Sequence, residues 1–214
     1  MRALLVLIFV AVPFSIFAES NSGANPYLVK DFSSIVWGFD FVSESEVIVS
    51  LKKGDLYYYN TKAKKKKKLN SPVAVSKGQG GLLDVFYDKP SLYVTYTKKV
   101  GDLTTTALAK ATYNNKSLSP FKDIFVANIK SNTSRHYGSR IAKKDDSLFV
   151  TIGDRGKRKH AQDMSLHNGK IIKIPLSEKS APIVWSLGHR NPQGIDVDPV
   201  TNNLYSLELS LIHI

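Results

Sequence analysis

The chain has 214 residues, of which 43% are hydrophobic and 22% are charged, ordinary values for a folded protein with its own core. It contains no cysteine, which excludes a disulfide framework, a cysteine-based zinc site and a thiol nucleophile. The formal net charge is +12 at pH 7, which suits an anionic ligand or surface without identifying one.

Residues 1–20, MRALLVLIFVAVPFSIFAES, have the features of a secretory signal peptide. Arg2 supplies the positive charge, the apolar run Ala3–Phe17 follows it, and small residues stand at Ala18 and Ser20. A membrane anchor is the alternative, but the apolar run is shorter than the about 20 residues that a spanning helix needs. The sequence therefore predicts a periplasmic or secreted protein without stable membrane insertion after cleavage, and export argues against nucleic acid as a partner.

A β pattern recurs four times within residues 21–208: an apolar strand, a polar turn and a second apolar strand. The second strands align on Val47, Leu92, Leu148 and Leu204, with spacings of 45, 56 and 56 residues. Units of roughly 40 to 50 residues with several strands each are typical of propeller blades. An immunoglobulin-like sandwich is the alternative, but its turns would come every 8 to 12 residues or so. We predict an all-β propeller.

Further strand candidates lie between these copies, at Leu56–Tyr59 and Gly169–Leu176. The densest cluster of charge is the run of five lysines Lys64–Lys68, which stands between two strand-like stretches. A run of this kind is typical of nucleic-acid or anionic surfaces, or of a solvated turn. We interpret it as a solvated turn.

Four short motifs carry polar residues near strand ends, in the order KGQGGLLDV, HYGSR, TIGDRG and LGHRNPQG. Taken singly each is weak, since histidine is often structural, aspartate in a glycine turn commonly binds backbone amides, and paired glycines supply backbone freedom. The Arg-Asn-Pro-Gln run also suits a tie between blades. Together they offer a base, an orienting carboxylate, a fixed cation and several amides, which is what oxidation of a hydroxyl by hydride removal requires.

The order GQGGLLDV, HYGSR, LFVTIGDRG, AQDMSLHNGKIIKI and GHRNPQG resembles the soluble aldose sugar (glucose/sorbosone) dehydrogenases that depend on pyrroloquinoline quinone. The resemblance runs from about Val36 to Glu208. It implies a six-bladed β-propeller, of which residues 21–208 form an N-terminal part of roughly four blades. It also implies that an aldose is oxidised at its anomeric hydroxyl to a lactone, with a separate electron acceptor. A non-catalytic extracellular binding propeller is the alternative.

The resemblance assigns the catalytic roles to His136, Asp154 and Arg190. His136 is expected to be the general base that takes the proton of the anomeric hydroxyl. Asp154 is expected to hold and polarise that imidazole, and Arg190 to stabilise negative charge on the reduced quinone.

The same resemblance implies the binding residues. The cofactor is expected to contact Arg190, Asn191 and Gln193. The sugar is expected to form a hydrogen bond with the side chain of Gln79. Three other histidines, His160, His167 and His189, are not at the base position and are interpreted as structural.

The chain departs from the family pattern after Glu208. The family continues into a segment that supplies calcium ligands and later into basic residues that clamp the quinone, so calcium is an expected cofactor whose ligands lie beyond Glu208. Residues 209–214, LSLIHI, leave the pattern in mid-strand and resemble a transposon-end adapter translated in frame. We therefore expect a non-native tail, with a genuine apolar terminus as the alternative, and an inactive fragment of an active enzyme.

Overall fold

The computed structural model of the protein describes residues 30–177 and 180–209, and the residues from Phe32 onward form one compact unit. The predicted signal peptide, residues 1–20, and residues 210–214 of the predicted tail lie outside the described residues. Leu209 is described, and its amide donates to the carbonyl of Asn191 at 3.2 Å. No helix in the described ranges is both long and apolar enough to cross a membrane.

The described strands form antiparallel sheets that follow one another along the chain. The first sheet contains β1 (Val36–Ser43), β2 (Glu46–Leu51), β3 (Leu56–Asn60) and β4 (Lys65–Leu69). The second contains β5 (Leu82–Asp88), β6 (Ser91–Val100), β7 (Leu103–Asn114), β8 (Ser117–Leu118) and β9 (Lys122–Val126), and both β8 and β9 pair with β7. The third contains β10 (Gly138–Lys144), β11 (Ser147–Ile152), β12 (Lys170–Pro175) and β13 (Ile183–Leu187). The fourth contains β14 (Pro192–Val197) and β15 (Leu204–Glu208).

The first strand of each sheet contacts the first strand of the next, so that β1 packs against β5, β5 against β10, and β10 against β14. Successive antiparallel sheets joined at their innermost strands are the blades of a propeller. The predicted all-β propeller is confirmed, and Val47, Leu92, Leu148 and Leu204 each lie in the second strand of a blade. The second blade differs from a simple four-stranded blade because β9 adds a further strand against β7.

The core lies between the blades because alternate side chains of a strand point to opposite faces. In β6, Leu92 and Val94 belong to the cluster shared with the first blade, whereas Tyr93 packs in the cluster shared with the third. Leu148 and Val150 of β11 fill that second cluster from the other side. A strand placed between two neighbours is therefore apolar on both faces.

Three buried hydroxyl groups connect neighbouring blades close to the innermost strands, those of Ser50, Thr95 and Thr151. Each accepts an amide N–H from the first strand of its own blade, at 2.9 to 3.0 Å; the donors are Gly38, Asp84 and Arg140. Each also donates to a carbonyl in the first strand of the next blade; the acceptors are Leu83, Ser139 and Pro192. The same device therefore ties one blade to the next three times.

The lysine run is an edge strand and not the predicted turn. Only Lys64 lies in the turn, with φ of 56°, and the rest of the run belongs to β4. β4 forms because β3 offers it a free edge, and the lysine stems find partners there. The Nζ of Lys66 lies 5.3 Å from the ring centroid of Tyr57, and Lys68 pairs with Asp55 at 2.6 Å. Lysines on an outer strand also discourage further strand pairing.

Large apolar side chains are exposed on β1 and on β15. Their exposure predicts that this part of the chain associates with itself. Phe39 and Phe41 are 61% and 52% exposed, and Leu207 is 70% exposed. Exposed apolar patches favour aggregation. Residues 30–209 expressed alone are expected to be oligomeric or insoluble, and serine at these three positions should raise the soluble fraction in size-exclusion chromatography.

Val73→Ser provides the control, because Val73 is 92% exposed on a loop. It should leave the elution profile unchanged. A monodisperse parent that melts cooperatively would contradict the expectation.

Candidate active site

The four polar motifs lie on one end of the blades because the strands run antiparallel in chain order. Gln79 precedes β5, His136 precedes β10, Asp154 follows β11 and Arg190 precedes β14. We call this end the site face; it is formed by the connections β2–β3, β4–β5, β6–β7, β9–β10, β11–β12 and β13–β14. The remaining strand connections form the opposite face.

His136 and Asp154 form a buried hydrogen-bonded pair, with 2.7 Å between His136 Nδ1 and Asp154 Oδ1. Asp154 is 1% exposed, and its Oδ1 also accepts the amide of Gly156 at 2.6 Å. An ionised carboxylate only accepts hydrogen bonds, so His136 Nδ1 is the donor and Nε2 of the neutral ring carries the lone pair. Nε2 makes no hydrogen bond to any residue in the described ranges. This geometry can accept a proton from a ligand.

The backbone at His136 is held in the left-handed region, with φ of 54°, which is uncommon for a residue other than glycine. Its amide donates to Oε1 of Gln79 at 2.7 Å. Gly153 allows the close approach of the β11 end, because a Cβ there would lie 2.1 Å from the His136 carbonyl oxygen. Gln79 thus uses its carbonyl oxygen on the backbone of His136, and its NH₂ group makes no hydrogen bond with the residues that the structure describes.

Arg155 is a site residue that the sequence analysis missed. It follows Asp154 in a glycine turn, a position that usually indicates an exposed side chain, yet it is 1% exposed. Its guanidinium lies 3.7 Å from the ring centroid of Tyr137, and it donates to the carbonyls of Arg135, at 3.1 Å, and of Thr133. Arg155 therefore holds the backbone of the segment that carries His136 through hydrogen bonds.

Two further hydrogen bonds join Arg155 to the start of β7 in the neighbouring blade. They run to the carbonyl and the hydroxyl of Thr104, at 3.3 and 3.1 Å. Burial lowers the pKa of the Arg155 guanidinium. Because its partners among the described residues are carbonyls, a hydroxyl and an aromatic ring, this cation is held by dipoles and π electrons.

The structure places the backbone of Arg190 against the His136–Asp154 pair, since its carbonyl accepts the amide of Asp154 at 2.8 Å. The Arg190 side chain is half-buried, and its guanidinium makes no hydrogen bond or ion pair with the residues that the structure describes. A partly buried cation with its donors free suits an oxygen-rich anionic ligand.

Asn191 and Gln193 are bound to each other and to the start of β10. Asn191 Oδ1 accepts the amide of Gly138 at 3.2 Å and the Nε2 of Gln193 at 3.0 Å, and that Nε2 also donates to the Gly138 carbonyl. The contacts of Asn191 and Gln193 with a cofactor stay a prediction. In the structure both side chains join the fourth blade to the third.

The loop before β14 is held by Glu208, the residue at which the resemblance to the family ends. Its Oε1 contacts Nδ1 of His189 at 2.7 Å, and its Oε2 accepts the amide of Asn191 at 3.0 Å. Nε2 of His189 contacts the hydroxyl of Ser186 at 2.8 Å. The carboxylate therefore fixes the backbone that presents Arg190.

The two other histidines interpreted as structural lie around the β11–β12 connection. His167 Nδ1 accepts the amide of Asn128 at 3.1 Å, and burial lowers the pKa of its imidazole. The carbonyl of His160 accepts a hydrogen bond at 2.8 Å from the buried ammonium of Lys170, and burial also lowers the pKa of Lys170.

Arg140, in the same motif as His136, connects the innermost strands. Its guanidinium donates to the carbonyls of Gln193 at 2.9 Å and of Trp37 at 3.1 Å, and it pairs with Asp84 at 3.3 Å. Burial raises the pKa of the Asp84 carboxyl, and this effect outweighs the lowering by Arg140. Arg140 thus holds together strands of four blades beneath the site.

Residues 33–210 match the family model described as glucose/sorbosone dehydrogenase. The chain belongs to the glucose/sorbosone dehydrogenase family. Among its relatives, an uncharacterized protein of Synechocystis is 30% identical over 209 residues, covering 80% of this chain and 51% of that protein. The chain spans about half the length of the curated relatives it matches.

Solved structures of the family share the fold. The apo form of the soluble aldose sugar dehydrogenase of Escherichia coli is 25% identical, with a TM-score of 0.74, covering 83% of this chain and 58% of that one. The pyrroloquinoline-quinone-bound aldose sugar dehydrogenase of Streptomyces coelicolor is 23% identical, with a TM-score of 0.72, covering 84% and 58%. The quinone is thus a cofactor of at least one structural relative.

The donors of the site fit such a quinone. The free guanidinium of Arg190 and the NH₂ group of Gln79 are suited to carbonyl and carboxylate oxygens. By contrast, residues 30–177 and 180–209 contain no group of three or more His, Asp or Glu residues arranged to hold a metal ion. The calcium ligands stay predicted for positions after Glu208.

Proposed function

We propose that the whole protein is a periplasmic or secreted aldose sugar dehydrogenase that uses pyrroloquinoline quinone and oxidises the anomeric hydroxyl to a lactone. The observation that carries this proposal is the buried His136–Asp154 pair, which leaves His136 Nε2 free to accept a proton. Membership of the glucose/sorbosone dehydrogenase family supports the substrate class.

The proposed mechanism assigns the proton to His136. The anomeric hydroxyl of the sugar donates to Nε2, and the proton moves to that nitrogen as the C1 hydrogen leaves as hydride. Pyrroloquinoline quinone, when bound, supplies the acceptor for this hydride. Asp154 keeps Nδ1 protonated and stabilises the imidazolium that forms, because its carboxylate is fixed by the amide of Gly156.

Binding and orientation come from the residues around that pair. The guanidinium of Arg190 stabilises negative charge on the cofactor side of the site, with Asn191 and Gln193 beside it. The NH₂ group of Gln79 orients the sugar hydroxyls. Its carbonyl oxygen already fixes the backbone of His136, so a sugar held by Gln79 is positioned relative to the base.

The experiment uses the full-length protein loaded with pyrroloquinoline quinone and calcium. It should reduce an artificial electron dye when an aldose is added, and it should do so without a nicotinamide cofactor. Protein that binds the quinone but oxidises no aldose would overturn the proposal and favour the non-catalytic binding propeller.

A further inference from the structure

The two faces of the blades differ in charge. The connections of the site face carry these basic residues: Lys52, Lys53, Lys77, Lys130, Arg135, Arg155, Lys157, Arg158, Lys159 and Arg190. Their acidic residues are Asp55, Asp102, Asp154 and Asp163. In the opposite face, the described connections balance the basic Lys62, Lys64, Lys89 and Lys116 against the acidic Glu44, Asp145, Asp146 and Asp198. Positive charge is thus concentrated around the candidate site.

Most of this positive charge is exposed and lies on the same face as the His136–Asp154 pair without belonging to it. The exposed members, which we call the cationic rim, are Lys53, Lys77, Lys130, Arg135, Lys157, Arg158 and Lys159. Of the three acidic residues nearby, Asp102 is exposed and the other two have partners. Asp55 pairs with Lys68 of β4, and Asp163 accepts the amide and hydroxyl of Ser165 at 2.9 and 2.6 Å.

We propose that the cationic rim is the docking surface for an acidic redox protein that takes the electrons of the reaction. The proposal rests on the proposed function, which leaves two electrons per sugar in the enzyme. Oxidation of one aldose to its lactone then reduces two molecules of a one-electron protein acceptor and releases two protons.

The distribution of the rim favours a macromolecule over a small anion. Its residues stand on four connections, from β2–β3 to β11–β12, and all are exposed. A small anionic ligand is typically held by a few converging, partly desolvated donors, whereas isolated exposed lysines interact weakly with it in water. A broad field of one sign instead steers a protein of opposite charge and orients it, with on-rates that rise by about 10- to 10³-fold at low salt.

The test compares two charge-reversal variants of the full-length holoenzyme. One carries Lys53→Glu, Lys77→Glu and Arg158→Glu in the cationic rim. The control carries Lys62→Glu, Lys64→Glu and Lys89→Glu on the opposite face, with the same change of net charge and with exposed positions throughout. The acceptors are a c-type cytochrome of negative net charge and a neutral dye.

The rim variant should reduce the acidic cytochrome at least about 10-fold more slowly than the parent at roughly 20 mM salt, and the difference should vanish near about 0.5 M. The opposite-face control should stay within about twofold of the parent, and both variants should keep the parental rate with the neutral dye. Equal losses in both variants, or no loss in either, would overturn the docking surface.

A loss confined to KM for an anionic sugar would also overturn it, since the rim would then steer the substrate. A parent that fails to reduce the neutral dye would contradict the proposed function instead. Calorimetric binding of the acidic cytochrome to the parent and both variants would then decide on the docking surface by itself.

Discussion

His136→Ala is expected to lower the turnover of the full-length holoenzyme by about 10²-fold or more, the loss typical of a positioned general base. The imidazole is the group whose free Nε2 can take the proton, because Nδ1 is bound to Asp154 at 2.7 Å. Quinone binding should survive, since the cofactor contacts are assigned to other residues. Steady-state dye reduction with an aldose, together with quinone titration, measures both quantities.

Asp154→Asn should lower turnover by a smaller factor, because the imidazole remains but loses the carboxylate that fixes its tautomer. His167→Ala is the matched control: it removes another imidazole of the site face, whose ring contacts a backbone amide and an aromatic ring of the second blade. Its turnover should match that of the parent. Parental turnover in His136→Ala on every aldose tested would refute the assigned base.

Arg155→Met is expected to lower the free energy of unfolding by about 3 kcal/mol and to reduce turnover as well. The substitution removes the hydrogen bonds from the Arg155 guanidinium to the part-buried carbonyls of Arg135, Thr133 and Thr104, and a hydrogen bond to a charged group contributes about 1.5–3 kcal/mol. The Thr133 and Thr104 carbonyls keep the Tyr137 hydroxyl and the Ser131 amide as donors, which limits the loss. The folded protein no longer has to desolvate a buried cation, and this gain offsets part of the loss in the free energy of unfolding. Urea unfolding of the full-length protein measures the change.

Arg158→Met tests whether the loss in the free energy of unfolding depends on the burial of Arg155, because Arg158 is exposed in the same connection. It should stay within about 0.5 kcal/mol of the parent. Arg155→Lys should recover part of the stability but not the stacking on Tyr137, since a lysine lacks the planar guanidinium. Equal stability of Arg155→Met and the parent would mean that the segment carrying His136 is held by other contacts.

The blades could be predicted because their signal is local and periodic. Leu92 and Leu148 mark second strands through alternation and turn residues, and each lies where the pattern indicated. The lysine run was misassigned because charge suggested a turn, whereas the pairing of Lys65–Leu69 with β3 depends on a neighbouring free edge. The structural preference of lysine alone does not show whether a neighbouring strand offers a free edge.

The site was less predictable than the fold because it is made of contacts over long sequence distances. The motifs indicated His136 and Asp154 through the family pattern, and the structure joins them. Nothing in the sequence indicated that Gln79 would bind the backbone of His136, or that Thr95 and Thr151 would connect blades. Burial of Arg155 likewise depends on Tyr137, from the β9–β10 connection, and on Thr104, from the start of β7.

A crystal structure of the full-length protein with pyrroloquinoline quinone and an aldose tests the central claim most directly. The account predicts that His136 Nε2 lies within about 2.6–3.2 Å of the anomeric oxygen while Nδ1 stays on Asp154, with the guanidinium of Arg190 on the quinone. A sugar bound with its anomeric carbon away from His136, beside another titratable group, would contradict it.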